Sequence, residues 1–582
     1  MSFKIHIHPG KRILSAEKGD NLAKLLSITD SLFSQPCGGM GLCGKCSVEI
    51  TDGPLPEPQD IETSFLSPEK LKNGYRLACL YRIEGDVSIR IPDESLAGEI
   101  DLLQIGLVFK MPIDPAVKKF PLFFPPGKED GPGSLETLFN ERLQTKGIRI
   151  PPDIKAGSLL KEYRGYSTAV IYEGTRLITL ESPDTLDMNF GLAVDIGTTT
   201  VSAELVDLTS GYVLGIESIL NRQIKYGSDV ISRISFAISN PDQAELLQRE
   251  IQATLDDIVS SLLKKTKVNP SFIYEIVISG NTVMNHLFLG IPVDTLAVAP
   301  FHEVFTRLPS FPAEKLDIHL NDHARVYFAP NIHSFIGGDI SSGLTASDFM
   351  QAEGNLLYID LGTNGEIVLK KDDIFKATSA AAGPAFEGMN ISCGMPAFPG
   401  AVYKLENREG LHATTISNRK PKGICGTGLI DITARSLKNG MISSKGVITH
   451  PSKKIPVTGK LHLIQKDIRE IQLATAAIKT AIKMLLKDND LKPNELNGIF
   501  IAGAFGNYLN IRNTMRIGLL PSIPEDRVTF IGNASLAGAR ALLLSREARA
   551  KTETAIDSIE FLSLASDQAF QKMFVESLDF KT

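Results

Sequence analysis

Residues 3–8 alternate apolar and polar side chains, the two-residue period of a half-buried strand, and residues 12–16 can pair with them. Residues 21–28 have helical spacing. Residues 75–80 and 87–91 read as further strands, separated by a turn at Glu84-Gly85-Asp86. The first 92 residues are therefore expected to form a small β-rich domain. From 93 to 132 the periodicity breaks down, and Pro112, Pro115, Pro121, Pro125, Pro126 and Pro132 punctuate the chain. Such composition predicts a semi-rigid linker, exposed around residues 127–132 and suited to let the small domain swing. Residues 133–188 predict a small middle domain. It has a helix over 134–145 and a hairpin, 168–172 with 175–180, turning at Glu173-Gly174.

Beyond residue 188 strands and helices alternate as in α/β domains. Within this stretch a pattern recurs. Leu192-Ala-Val-Asp195-Ile-Gly197-Thr198-Thr199-Thr200 is matched by Leu357-Tyr-Ile-Asp360-Leu-Gly362-Thr363-Asn364. Each copy is a strand that delivers an aspartate, then a glycine–threonine turn, then another strand. The repeat predicts one doubled domain over 189–582, with halves near 189–355 and 356–545, a cleft between them and a C-terminal extension over 546–582. Backbone N–H groups at such turns, with the Thr198, Thr199 and Thr200 hydroxyls, can bind phosphate oxygens. Asp195 and Asp360, one from each half, can hold a hydrated Mg²⁺ between them.

Three further stretches belong with this cleft. Residues 499–502 form a buried-type strand ending in Gly503-Ala504-Phe505-Gly506, a small-residue turn against which a flat adenine ring can lie. Gly426-Thr427-Gly428 opens a helix whose N-terminal N–H groups offer an anion site. Asp339, in Ile336-Gly-Gly-Asp, is either a group that positions an attacking water or a helix cap, and Asp229 presents the same choice. Cys393 and Cys425 read as small buried residues. Ser279-Gly-Asn-Thr282 and Ile531-Gly-Asn533 read as turns beside the cleft.

Four of the six cysteines lie before residue 80: Cys37, Cys43, Cys46 and Cys79, three of them within Cys-Gly-Gly-Met-Gly-Leu-Cys-Gly-Lys-Cys. Clustered thiols in a long, cysteine-poor chain point to a metal site rather than a disulfide scaffold. The glycines let backbone N–H groups approach sulfur, as a [2Fe–2S] cluster requires. Structural zinc is the alternative, but only one Cys-x2-Cys knuckle is present and no histidine lies near it.

Composition removes several classes. With 61 basic and 67 acidic residues the net charge is −6, so nothing electrostatic points to nucleic acid. The N-terminus has no signal-peptide pattern, and no apolar run is long enough for a membrane span. A cytoplasmic protein with no membrane partner is expected.

The cysteine spacing, x5 then x2, resembles the ferredoxins of the adrenodoxin kind. The resemblance implies a β-grasp fold over 1–92, with all four cysteines ligating a [2Fe–2S] cluster. The paired turns, with the 503–506 and 426–428 stretches, resemble the phosphate and adenosine motifs of the acetate kinase, sugar kinase, Hsp70 and actin superfamily. That resemblance implies two ribonuclease H-like subdomains with Mg²⁺ and ATP between them. Phosphates would sit at Gly197–Thr200 and at Gly362, Thr363 and Asn364, with adenosine near Gly503–Gly506.

The domain order along the whole chain resembles the reductive activators of corrinoid proteins. It implies ATP-hydrolysing, one-electron reduction of an inactive Co(II) corrinoid to Co(I). The implied partners are a corrinoid protein of a methyl-transfer system, a donor such as a ferredoxin or reductase, and a second copy in a homodimer. Three other readings stand beside it. An ATP-dependent activator of a radical dehydratase or acyl-CoA reductase carries its cluster on the ATPase itself, a context that Cys393 and Cys425 lack. The others are a metabolite kinase with an accessory redox domain and a redox-sensing adaptor that binds ATP without turnover.

Overall fold

The computed structural model describes residues 2–8, 12–29, 46–63, 65–92, 112–124, 134–145, 147–151, 165–316, 318, 320–407, 411–503, 509–564 and 567–580. Its first unit is a five-stranded sheet in the order Arg12–Glu17, Ser2–His8, Val87–Arg90, Ser47–Asp52, Tyr75–Leu77. The helix Leu22–Thr29 lays Leu22 and Leu26 among Ile5, Ile7, Leu77 and Ile89, all buried in one core. This is the expected β-grasp arrangement. The strand Ser47–Asp52 adds to that expectation. Val48 is buried and Glu49 half-buried, an alternation too short to stand out from the glycine-rich stretch before it.

The expected linker over 93–132 needs correction. Residues 117–124 are a strand, Val117–Phe124, paired antiparallel with Gly165–Tyr172, which in turn pairs with Arg176–Glu181. Proline misleads here because Val117–Phe124 is an edge strand, where a sheet tolerates Pro121. The hairpin turns where expected, with both Glu173 (φ 51°) and Gly174 (φ 73°) left-handed, as a two-residue hairpin loop demands. The helix Leu135–Arg142, capped by Ser134, covers the sheet through Phe139.

This small sheet is anchored to the doubled domain. Asp114 accepts two 3.0 Å hydrogen bonds from the Arg546 guanidinium. Asn189 donates to the Val117 carbonyl at 3.0 Å. Residues 112–124 are thus no part of a free arm. Residues 93–111 and 125–133, including the stretch at 127–132, lie outside the described residues.

The doubled domain consists of two six-stranded sheets with matching cores. In the first, the order is Val213–Leu220, Thr200–Asp207, Phe190–Ile196, Ile273–Gly280, Arg325–Phe328, Phe311–Pro312. In the second, it is Val528–Gly532, Gly498–Ala502, Leu356–Leu361, Gly365–Lys371, Ile374–Ala380, Ile559–Phe561. Each half begins with an antiparallel three-strand meander. Its first strand then receives a parallel neighbour, Ile273–Gly280 or Gly498–Ala502, on its other side. The order and direction of five strands therefore agree between the halves, as two ribonuclease H-like subdomains require; the sixth strands, Phe311–Pro312 and Ile559–Phe561, are added at opposite edges. Asp195 and Asp360 occupy corresponding ends of the first strands.

The boundary between halves is not where a linear reading puts it. The helix Ala534–Leu544 returns to the first half, where Leu536, Ala539, Leu542 and Leu543 cover Ala193, Tyr274 and Val277. The expected extension over 546–582 is likewise integral. The helix Arg546–Ile556 binds the first sheet through a bidentate Arg549–Glu275 pair at 2.8 and 2.9 Å, while Ile559–Phe561 completes the second sheet. The helices Gly338–Ala346 and Ala534–Leu544 cross so closely that a Cβ at Gly538 would lie 1.9 Å from the Ser342 carbonyl oxygen. No helix among the described residues is long and apolar enough to cross a membrane.

Candidate functional site

Between the two sheets lies a cleft of about 350 Å³. Its walls include Gly197, Thr198, Thr199 and Thr200 from one half and Gly362, Thr363 and Asn364 from the other. The turn after Asp195 is tight: a Cβ on Gly197 would stand 2.4 Å from the Thr200 carbonyl oxygen, so only glycine fits. The turn is braced from beneath. Asn221 donates to the Gly197 carbonyl at 3.0 Å, and the buried Arg233 guanidinium donates to the Thr198 carbonyl at 2.5 Å. Arg233 also donates to Gln223 and to the Gly227 carbonyl. Burial pulls its pKa down to about 10, still cationic at neutral pH.

Carboxylates crowd the floor. Asp195, Asp339 and Asp360 are half-buried there and Glu366 is buried. Asp195 accepts hydrogen bonds from Ser535 at 2.7 Å and Asn533 at 3.3 Å, and burial lifts its pKa to about 6. Burial and the nearby Asp195 raise Asp360 to about 7. Burial, Asp360 and Asp195 raise Asp339 to about 8. Glu366 is pushed well above the carboxylate range by burial and by Asp339 and Asp360. Like charges in a poorly solvated pocket hold protons unless a cation joins them.

Among the described residues no three His, Cys, Asp or Glu side chains gather closely enough to ligate a metal ion directly. A Mg²⁺ that keeps several of its waters and takes few carboxylates fits this floor.

Several expectations are resolved by position. Asp339 is not the cap of its helix: Gly337 holds that place, and Asp339, in the first turn, lines the cleft. Asp229 is a cap, accepting from the Ser232 N–H at 2.8 Å. Gly426 and Thr427 line the cleft, whereas Gly428 serves packing, since a Cβ there would meet the Val402 carbonyl oxygen at 2.1 Å. Gly503 lines the cleft; Ala504, Phe505 and Gly506 lie outside the described residues. Asn281 and Asn533 border it, and Cys425 is buried in its wall. Cys393 is half-buried against the core of the second half.

Sequence reasoning missed Glu366, Glu387, Ser535 and Arg233. Glu366 did leave a trace, as an acid directly before the apolar run Ile367–Leu369. Glu387 accepts hydrogen bonds from both the Thr199 and Thr363 hydroxyls, one from each half.

In the first domain, antiparallel pairing of Ser47 with Leu77 carries Cys46 and Cys79 side by side. Their sulfurs are 3.2 Å apart and buried. Cys46 and Cys79 thus present two adjacent thiols, as residues that would hold part of a [2Fe–2S] cluster must. Cys37 and Cys43 lie outside the described residues.

Comparison with known proteins gives matches along almost the entire chain. A 2Fe-2S iron-sulfur cluster binding domain model matches residues 5–84, a RACo middle region model residues 190–352, and a model of the C-terminal domain of RACo, the ASKHA domain, residues 354–582. The corrinoid activation enzyme RamQ of Eubacterium limosum is 32% identical over 575 residues, covering 93% of this chain and 92% of that protein. The [Co(II) methylated amine-specific corrinoid protein] reductase of Methanosarcina barkeri is 26% identical over 431 residues, covering 68% and 77%. A solved structure of a reductive activator for a corrinoid, iron-sulfur protein superposes with a TM-score of 0.76 at 32% identity, over 99% of this chain and 98% of that one. With a cluster-type cysteine pair, a carboxylate-floored cleft and this full-length likeness together, the chain belongs to the family of reductive activators of corrinoid proteins.

Proposed function

We propose that this protein restores a corrinoid protein whose cobalt has slipped to Co(II), transferring one electron to give Co(I) and hydrolysing ATP in the cleft. One observation carries the reading: a β-grasp cysteine domain and a two-lobed acidic cleft share a chain aligned over 92% of a corrinoid activation enzyme. Cys37, Cys43, Cys46 and Cys79 would hold a [2Fe–2S] cluster, which would supply one-electron chemistry at low potential.

The cleft residues divide the work on ATP. The turns at Gly197–Thr200 and Gly362–Asn364 bind the phosphates through N–H and hydroxyl donors, and Gly426 and Thr427 add a helix N-terminus. Asp195 and Asp360 orient the water shell of Mg²⁺, and Asp339 aligns the attacking water. Gly503, on the cleft wall, would take the adenosine end of the nucleotide.

Energy input is needed if, as expected, the Co(II)/Co(I) couple lies below the roughly −400 mV of plant-type clusters. A gap of ~100–200 mV asks for about 2–5 kcal/mol, since each 59 mV is a factor of ten for one electron. Differential binding of the Co(II) partner across the ATP cycle can deliver this. The protein is proposed to act in the cytoplasm as a homodimer, drawing electrons from a ferredoxin or reductase. The test is to mix the reduced protein with a Co(II) corrinoid protein and follow Co(I) absorbance. Co(I) should appear with ATP and not without it; equal traces in both would refute the reading.

A further inference from the structure

Glu387 stands at an unusual crossing point. Its carboxylate takes hydroxyl hydrogen bonds from Thr199 in the first-half turn and Thr363 in the second-half turn, so one anion ties the two lobes together across the cleft. These are charge-assisted bonds, about twice as strong as neutral ones. Glu387 and Asp229 are also the acids whose charges act on the buried Arg233, which holds the Thr198 carbonyl. An anion that spans both turns and faces this cation does what the terminal phosphate of a bound nucleotide would do.

The segment carrying Glu387 is a short turn whose Ala385 and Phe386 are packed in the core of the second half while Glu387 lines the cleft. Pro384–Glu387 is a single turn of 3₁₀ helix, preceded by Gly383 (φ 76°) and followed by Gly388 (φ 81°), both left-handed. Such glycines can absorb a change of chain direction without side-chain clash. Phe386 and Phe398 line the same wall of the cleft, and Phe398 is 48% exposed at its mouth.

We propose that Glu387 is a built-in stand-in for the terminal phosphate of ATP, tying the two turns together until a triphosphate displaces it. The inference rests on the reading of the cleft as a nucleotide site. A triphosphate needs the Thr199 and Thr363 donors that Glu387 now uses, and two anions cannot share them. Nucleotide binding therefore includes ejection of this carboxylate, with the 384–387 turn loosening at its flanking glycines while Ala385 and Phe386 stay in the core. The device sets a threshold for ATP that ADP, lacking the third phosphate, does not fully meet.

Calorimetric titration of the full-length, cluster-loaded protein with a non-hydrolysable ATP analogue, ADP and AMP tests this. Glu387→Ala should tighten the analogue by about tenfold or more, Glu387→Gln by less, ADP should change less than the analogue, and AMP should not change. An unchanged or weakened affinity for the analogue in both variants would overturn the proposal. Absence of binding by the wild type and both variants would instead bring down the nucleotide-site reading beneath it. Hydrogen exchange on the wild type needs no mutant: the 384–389 peptide should exchange faster with the analogue bound and not with AMP. Slower or unchanged exchange there overturns the stand-in role even if a variant fails to fold.

Discussion

Ser535 donates a 2.7 Å hydrogen bond to Asp195 across 340 residues of chain. Its hydroxyl also lies 2.8 Å from that of Ser279, which donates to the Gly338 carbonyl at 2.9 Å. Two hydroxyls thus join the aspartate of the first turn to the start of the helix that carries Asp339. Ser535→Ala should therefore lower ATP turnover by roughly tenfold, the scale of one lost hydrogen bond to a charged group, with Ser535→Thr restoring most of it. Steady-state phosphate release reads both; full activity in the alanine variant would remove Ser535 from the site.

The acidic floor makes stability depend on pH in a definite direction. Asp339 has a pKa raised to about 8 in the folded protein, against about 3.9 in an unfolded chain. The folded state therefore binds more protons between these values, and stability is lost as pH rises from about 4 through 8. Without nucleotide or Mg²⁺, Asp339→Asn should match the wild type in Tm near pH 4 and gain on it steadily as pH rises to 8. A constant offset across that range would contradict the assignment.

Asp195→Asn and Asp360→Asn should each abolish ATP turnover, and the double variant should be no worse than either single one. Residues that act on one ion are strongly non-additive. Losses that multiply in the double variant would mean that the two aspartates work independently.

Cys79→Ser should erase the [2Fe–2S] absorbance and leave nucleotide affinity unchanged, because Cys79 belongs to the β-grasp core and is no nucleotide-cleft residue. A full cluster spectrum in that variant would disprove ligation by the Cys46–Cys79 pair.

The Arg549–Glu275 pair is buried and bidentate. Arg549→Met should cost about 3–5 kcal/mol in chemical denaturation, since it strands a buried carboxylate, and adding Glu275→Gln should recover much of that. Equal losses in the single and double variants would show that packing, not charge, dominates.

How much of this was legible in the sequence depends on how local the signal is. Asp195 and Asp360 could be read because each is followed within a few residues by its own turn, and because the pattern occurs twice. The β-grasp cysteines announced themselves by spacing. Glu387 and Ser535 carried no such mark. Their roles exist only once distant segments converge, Glu387 on two turns at once and Ser535 on an aspartate in another sheet. Pro121 was misleading for a related reason: whether proline ends a strand or sits on its open edge depends on which strand lies beside it. The same holds for residues 546–561, which look appended in sequence and belong to both sheets in space.

The return of the helix Ala534–Leu544 to the first sheet has a consequence for the making of the protein. The strand Arg325–Phe328 is followed by some two hundred residues before that helix is synthesised. At about 5–20 residues per second, the ribosome takes roughly 10–40 s to deliver it. Through that interval Ala193, Tyr274 and Val277, which the helix will cover, remain open to water and to other nascent chains. The newborn first half is thus a sticky, unfinished object on the time scale of translation. A chain that stops short of residue 534 should be a client of chaperones and proteases rather than a smaller working enzyme.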